Sequence, residues 1–401
     1  MTIIVPSNPL AGAPTMLGAG LVNRLRADMQ ARILPPADDK EQVLGVDFDP
    51  EDPTLDLAAC LRRGIPPRPQ DPAALALWLR MVEPPLTLLP FRAADVMLRG
   101  DITHGSFRIA GVSGEGMDAG QEEAIAVFTG GGRLSSSANW SGGAILPRNG
   151  ERFVQVLASW RVPAVRAGTG AGPWVCSTWI GMDGLRRWMG SMPQMGTTQS
   201  LGQIERGSLL PANFPWFQWW LRGQGIQPPV PLPLSISPGS LVYCVVTRLP
   251  RNQPSLGDQD MVQFFIRAGS TATYLICKPP PVASPGEKFA SHGASAQWIL
   301  ERPTALNPSP NGNVRVGDLF PLPDFSTAGL DDFAASLART PNDTGVIGSI
   351  EAPALTPATP LRAPRLLRMV ETLPDPPRTA VIAKPASLDG RLLEVRYRGP
   401  G

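Results

Sequence analysis

Apolar positions along the chain change their spacing part-way through. Near the N-terminus Leu17, Leu21, Leu25, Met29 and Ile33 recur every four residues, which predicts one stripe of a helix. The stretches DPTLDLAACLRR (52–63) and DPAALALWLRMV (71–82) each open on Asp-Pro. Aspartate caps free N–H groups and proline at the first helical position needs no donor, so both predict helix starts. GIPPRPQ is a Pro-rich link between them, and FRIAGV is a candidate strand further on. After about residue 139 the period falls to two. RFVQVLASWRVP, PLPLSIS, GSLVYCVVT, DMVQFFIRAG, TATYLICK and LLEVRYRG are expected strands. In the last, Leu393, Val395 and Tyr397 alternate cleanly with Glu394, Arg396 and Arg398. Many short strands with Gly/Pro turns and no long helices between them predict an all-β sandwich of two antiparallel sheets. The stretch TGGGRLSSSAN reads as a joint, so the expected division is a helical region 1–128, a linker 129–138 and a β domain 139–401. The stretches 303–312 and 352–364, rich in Pro, are expected loops.

Bulk properties narrow the function classes. A chain of 401 residues suggests about two or three domains, and 43% hydrophobic content supports a real core. A net charge of +2 without a basic run leaves no electrostatic footprint for nucleic acid or a membrane surface. No apolar run is long enough to span a bilayer, and MTIIVPSNPLAGAPTML lacks the basic and apolar regions of a signal peptide. Cys60, Cys176, Cys244 and Cys277 form no CxxC pair. Cys244 and Cys277 lie in expected strands and are either buried thiols or neighbours. Only two histidines exist, His104 and His292, and HExxH and GxSxG are both absent. Hydrolytic chemistry in such a chain falls to carboxylates and amides, with no metal or cofactor.

The stretch GASAQWILERPT ends a short apolar run on one carboxylate, Glu301. As a strand it would put Gln297, Ile299 and Glu301 on one face and Ala296, Trp298 and Leu300 on the other. The bland reading is a carboxylate marking where the strand meets water. Most of the ten tryptophans cluster in the β half, several beside polar residues. Each alone is a core residue; together they suit the walls of a cleft for an extended polymer.

Six segments in order resemble the glutamic peptidases called eqolisins, or peptidase family G1, over about residues 135–400. They are Asn139-Trp140-Ser141-Gly142, Trp160-Arg161-Val162-Pro163, Ser177-Thr178-Trp179-Ile180-Gly181-Met182-Asp183-Gly184, Gln194-Met195-Gly196, Trp216-Phe217-Gln218-Trp219 and Ala296-Gln297-Trp298-Ile299-Leu300-Glu301. The resemblance implies a jelly-roll-like sandwich with a concave catalytic groove, a polypeptide substrate, pepstatin insensitivity and a secreted protein, although no signal peptide is visible. It also implies a catalytic pair, Gln194 and Glu301. Glu301 would take a proton from the attacking water and return it to the leaving amine. Gln194 would hold the water and stabilise the oxyanion, a role worth about 3–4 kcal/mol of barrier. An unperturbed Glu ionises near about 4.3, which suits mildly acidic media. Trp140, Trp179, Asp183 and Trp216 would border the groove. The pattern departs at Gln218 and Gln297, where the family carries acidic residues. Met195 replaces a threonine, and the interval from Asp183 to Gln194 is one residue longer. Two fewer carboxylates would relieve Glu301 of like-charge repulsion and lower its pKa relative to a more acidic groove.

Two other readings compete. A non-catalytic sandwich would grip a peptide or glycan along the aromatic groove. A glycosidase would need two carboxylates, and Gln194 is the wrong residue type for one. Asn342-Asp343-Thr344-Gly345 contains one Asp-Thr-Gly triplet, half of what a pepsin-like site needs, and reads as a polar turn. Residues 1–128 are either a segment covering the groove until acid strips charge from runs such as Asp38-Asp39-Lys40-Glu41 and Asp47 to Asp52, or an attached docking or folding domain.

Overall fold

A computed structural model of the chain describes residues 19–69, 72–105, 108, 133–147, 151–185, 189–202, 213–223, 227–249, 261–280, 289–309, 312–339, 365–374, 377–389 and 392–399. FRIAGV lies mostly outside these residues, and so do the Asp-Thr-Gly triplet and the stretch 352–364.

The N-terminal elements are α1 (Ala19–Arg32), β1 (Gln42–Leu44), α2 (Leu57–Arg62), α3 (Pro72–Val82), β2 (Leu86–Pro90) and β3 (Ile102–Thr103). Next come β4 (Arg133–Ser137), β5 (Trp140–Ile145), β6 (Glu151–Arg161), β7 (Trp174–Met182), β8 (Ser191–Leu201), β9 (Asn213–Leu221) and β10 (Val230–Pro231). They are followed by β11 (Leu241–Leu249), β12 (Met261–Ala268), β13 (Thr271–Cys277), β14 (Ala296–Glu301) and β15 (Thr304–Ala305). The last are β16 (Thr327–Leu330), β17 (Asp332–Arg339), β18 (Arg365–Pro374), β19 (Pro377–Asp389) and β20 (Leu392–Tyr397).

The protein is mainly β, as the period-two pattern predicts. A seven-stranded sheet runs β1-β2-β13-β12-β11-β6-β17, and an eleven-stranded sheet runs β10-β9-β8-β7-β14-β5-β18-β19-β20-β16 with β4 beside β18. Strand alternation explains how they pack. In β12, Val262, Phe264 and Ile266 point into the core between the sheets, where they meet Met195, Phe217 and Trp298 of the larger sheet. Phe265 points the other way, into a second core with Leu77, Trp78 and Met81 of α3. Both faces of the smaller sheet are therefore covered, which is why MVQFFIRA is nearly continuous in apolar residues.

Several local expectations need correction. Helix α3 starts on Pro72 as predicted, but α2 starts at Leu57 and not after Pro53. Asp56 is its cap and accepts from the Ala59 N–H at 2.6 Å, while Asp52 closes a turn by accepting from Thr54. PLPLSIS contributes only Pro231 to β10, because proline has no ladder donor. Part of the expected linker is strand: β4 runs parallel to β18, with Leu134 beside Leu366. Thr304–Ala305, inside an expected loop, pairs with β3. β1 and β2 extend the smaller sheet, β2 lying parallel to β13. The N-terminal region thus supplies strands to the sandwich as well as helices over it. Cys244 and Cys277 are not bridged; they are buried free thiols on β11 and β13, with β12 between them.

β7 and β8 approach closely at Gly196. A methyl group there would collide with the Thr178 carbonyl and with Trp179 on the neighbouring strand. Gly196→Ala is expected to cost about 3 kcal/mol, the upper range for overpacking a core. A urea midpoint equal to that of the parent would show that the strands yield there.

Candidate active site

The outer face of the larger sheet carries the candidate groups. β14 behaves as its alternation predicts: Trp298 enters the core between the sheets, and Ile299 lies on the opposite face with Trp140, Trp179 and Trp216. Glu301 ends the strand, level with Ser177 on β7 and Trp140 on β5. It does not mark a boundary with water, since it is fully buried. Oε2 accepts from the Trp179 indole N–H at 2.8 Å. Oε1 accepts from the Gly105 backbone N–H at 3.0 Å and from Asn139 Nδ2 at 3.3 Å. Burial pushes its pKa up to about 8, with donors from Gly105, Trp179, Trp140 and Asn139 pulling the other way. Loss of water, and not the number of carboxylates in the groove, sets the direction of this shift.

Gln194 and Gln218 face each other on β8 and β9, both buried. Gln194 Nε2 lies 3.5 Å from Gln218 Oε1, and its own Oε1 has no hydrogen-bond partner among the described residues. Gln194 is level with Gly181, which is level with Gln297, four positions before Glu301 on β14. No hydrogen bond joins Gln194 to Glu301. His104 bonds Gln218, the neighbour of Gln194, and Gly105 bonds Glu301. Gln218 Oε1 accepts from the His104 backbone N–H at 3.2 Å, and its Nε2 donates to the His104 carbonyl at 3.2 Å. The same Nε2 donates to Thr103 Oγ1 at 3.2 Å and to the Gln227 carbonyl at 2.7 Å. The His104 ring stacks on Trp216 at 3.7 Å, with Nδ1 3.2 Å from Gln218 Oε1 and Nε2 2.8 Å from Ser177 Oγ. Burial pulls the imidazole pKa down to about 3, opposed by Gln218.

The remaining expected groove residues divide. Trp140 and Trp179 meet edge to face at 5.0 Å beside Glu301, and Trp216 is buried under His104. Asp183 stands just past β7 at a positive φ of 67°. Its carboxyl oxygens accept from Ser291 Oγ and from the backbone N–H groups of His292, Gly293 and Ala294. Gln297 Nε2 donates to the Asp183 carbonyl and to Ser295 Oγ. Both residues thus brace the 291–295 loop, through bonds that a strand-face argument does not foresee. Sequence reasoning missed His104 and Gly105 as neighbours of the site, since nothing local marks contacts made across such separations. Asn139 and Ser177 were visible only as the first residues of motifs. Among the described residues, no group of three or more His, Cys, Asp and Glu gathers to hold a metal ion.

A model of the Peptidase A4 family matches residues 138–352, and the chain belongs to this family, the eqolisin glutamic peptidases. Solved structures with similar folds include scytalidoglutamic peptidase with a transition-state analogue inhibitor, at 15% identity, TM-score 0.42, covering 65% of this chain and 98% of that one. SCP-B, an eqolisin in complex with the tripeptide Ala-Ile-His, matches at 15% identity and TM-score 0.38, with the same coverages. Aspergilloglutamic peptidase from Aspergillus niger matches at 14% identity and TM-score 0.34, covering 56% of this chain and 99% of that one. No curated protein matches the chain.

Proposed function

We propose that the chain is an acid-acting glutamic endopeptidase whose base is Glu301 and whose amide donor is Gln194. The observation that carries this reading is the buried Glu301 carboxyl facing the N–H of a peptide group, the side from which a leaving amine would be protonated. With substrate in an open groove, the ionised carboxylate takes a proton from water as the oxygen attacks the scissile carbonyl. The carbon–nitrogen bond then breaks as that proton passes to the amine. Gln194 cannot titrate, so it serves as a fixed donor to water and oxyanion. Its unengaged carbonyl and long contact to Gln218 leave the amide free to turn toward a ligand. Gln218 already pairs both main-chain groups of one residue, which suits a group that reads substrate backbone. Trp140, Trp179 and Trp216 form the walls. The test is digestion of denatured casein at pH 3 by the full-length protein, with and without pepstatin. Cleavage unaffected by pepstatin is expected. Binding of casein peptides without hydrolysis would replace the peptidase by the non-catalytic groove.

A further inference from the structure

The chain's own residues 103–105 lie against the catalytic face in the manner of a ligand. Gln218 pairs the N–H and C=O of His104, and the next N–H meets Glu301. The imidazole fills a fitted recess, with one ring face on Trp216 and its two nitrogens directed at Gln218 and Ser177. The segment is anchored just upstream: Ile102 and Thr103 pair with β15, and Thr103 Oγ1 donates to the Gln227 carbonyl at 2.6 Å. We propose that His104 and Gly105 form an intramolecular ligand of the groove that excludes substrate while bound, with the His104 imidazole as a latch that acid opens. The proposal rests on the reading of Glu301 as the catalytic carboxyl.

The groups around the imidazole are neutral on three strands: Ser177 on β7, Thr198 behind it on β8, and Gln218 and Trp216 on β9. Among the described residues, Gly105 links the segment to one ionisable group, Glu301, which is coupled electrostatically to Arg108. Arg99 and Asp101 pair with each other at 2.9 Å further back. Two groups therefore set the pH response, and they oppose each other. Glu301 has a raised pKa in the bound state, so binding strengthens as pH falls from about 8 to the unperturbed 4.5. His104 has a lowered pKa in the bound state, so binding weakens as pH falls from the unperturbed 6.5 to about 3. The two effects cancel between 4.5 and 6.5, leaving a plateau of maximal closure. Below it only the histidine acts, and the bound-to-released ratio falls about thirtyfold by pH 3.

Hydrogen exchange of the full-length protein, read by mass spectrometry and divided by the intrinsic rate at each pH, tests this without requiring turnover. Protection of the His104 and Gly105 amides is expected to be level from pH 6.5 to 4.5 and to fall about thirtyfold by pH 3. In His104→Phe, which keeps a flat ring but cannot titrate, the acid fall should vanish. Strands β12 and β13 report global folding in each sample. A second variant, His104→Gln, serves if the phenylalanine does not fold. Unprotected amides throughout the plateau would overturn the bound ligand. An acid fall that persists in both variants would overturn the latch. If protection behaves as described and no form of the protein hydrolyses casein, the occupancy stands and the peptidase reading fails.

Discussion

Replacing Glu301 with glutamine should lower kcat/KM on denatured casein by at least about a hundredfold. The change is nearly isosteric and keeps an oxygen for the Trp179 and Gly105 donors, but an amide cannot take the proton from water. Gln194→Ala should cost a comparable factor through loss of the oxyanion donor. Stability separates these changes from simple damage. A buried acid with a raised pKa favours the folded state below its unperturbed 4.5, and that advantage is lost as pH rises toward about 8. Between 4.5 and 6.5 the buried His104 offsets that loss, so the parent should lose thermal stability mainly from 6.5 to about 8, and Glu301→Gln should lose less. Casein cleavage that survives the substitution would assign the base to another group.

Asp183→Ala is the second large effect, and it is one of stability. Four donors converge on this carboxyl, three of them backbone N–H groups of the 292–294 turn. Stranding several buried donors at about 1–3 kcal/mol each should remove about 4 kcal/mol or more from unfolding. Chemical denaturation would measure it. If Asp183 instead touched substrate, its loss would raise KM and leave the denaturation midpoint in place.

Legibility in the sequence followed range. Period-two alternation located β6, β11, β12, β13 and β20, and it put Gln297, Ile299 and Glu301 on one face and Trp298 on the other. The Asp-Pro rule worked for α3 because Pro72 opens it; for α2 a closer cap, Asp56, took the role. β18 and β19 were not foreseen, since RLLRMVETLP and PRTAVIAKPASLD break alternation at bulges. The ordered motifs identified the family and nominated its residues. They gave no warning that Asp183 and Gln297 brace a loop, or that His104, from outside the matched region, lies on the same face as Glu301. Such relations depend on sheet register and on contacts between distant residues, and no local pattern encodes either.

The strand β2 carries one more consequence. It lies along Thr271–Tyr274 of β13 and in turn supports β1, while Ile33 and Leu34 meet the far end of β13, so the edge of that strand is covered. A chain trimmed to begin at Arg133 would lose both strands and α3 together. It would uncover the backbone donors and acceptors of β13 and lay bare Leu157, Val245 and Phe265 beside them. An open, apolar sheet edge is a template for other chains. The trimmed protein should therefore be lost to aggregation even with every catalytic side chain in place. A nick after Gly105 is a different matter, because the severed piece would stay knitted into the sheet.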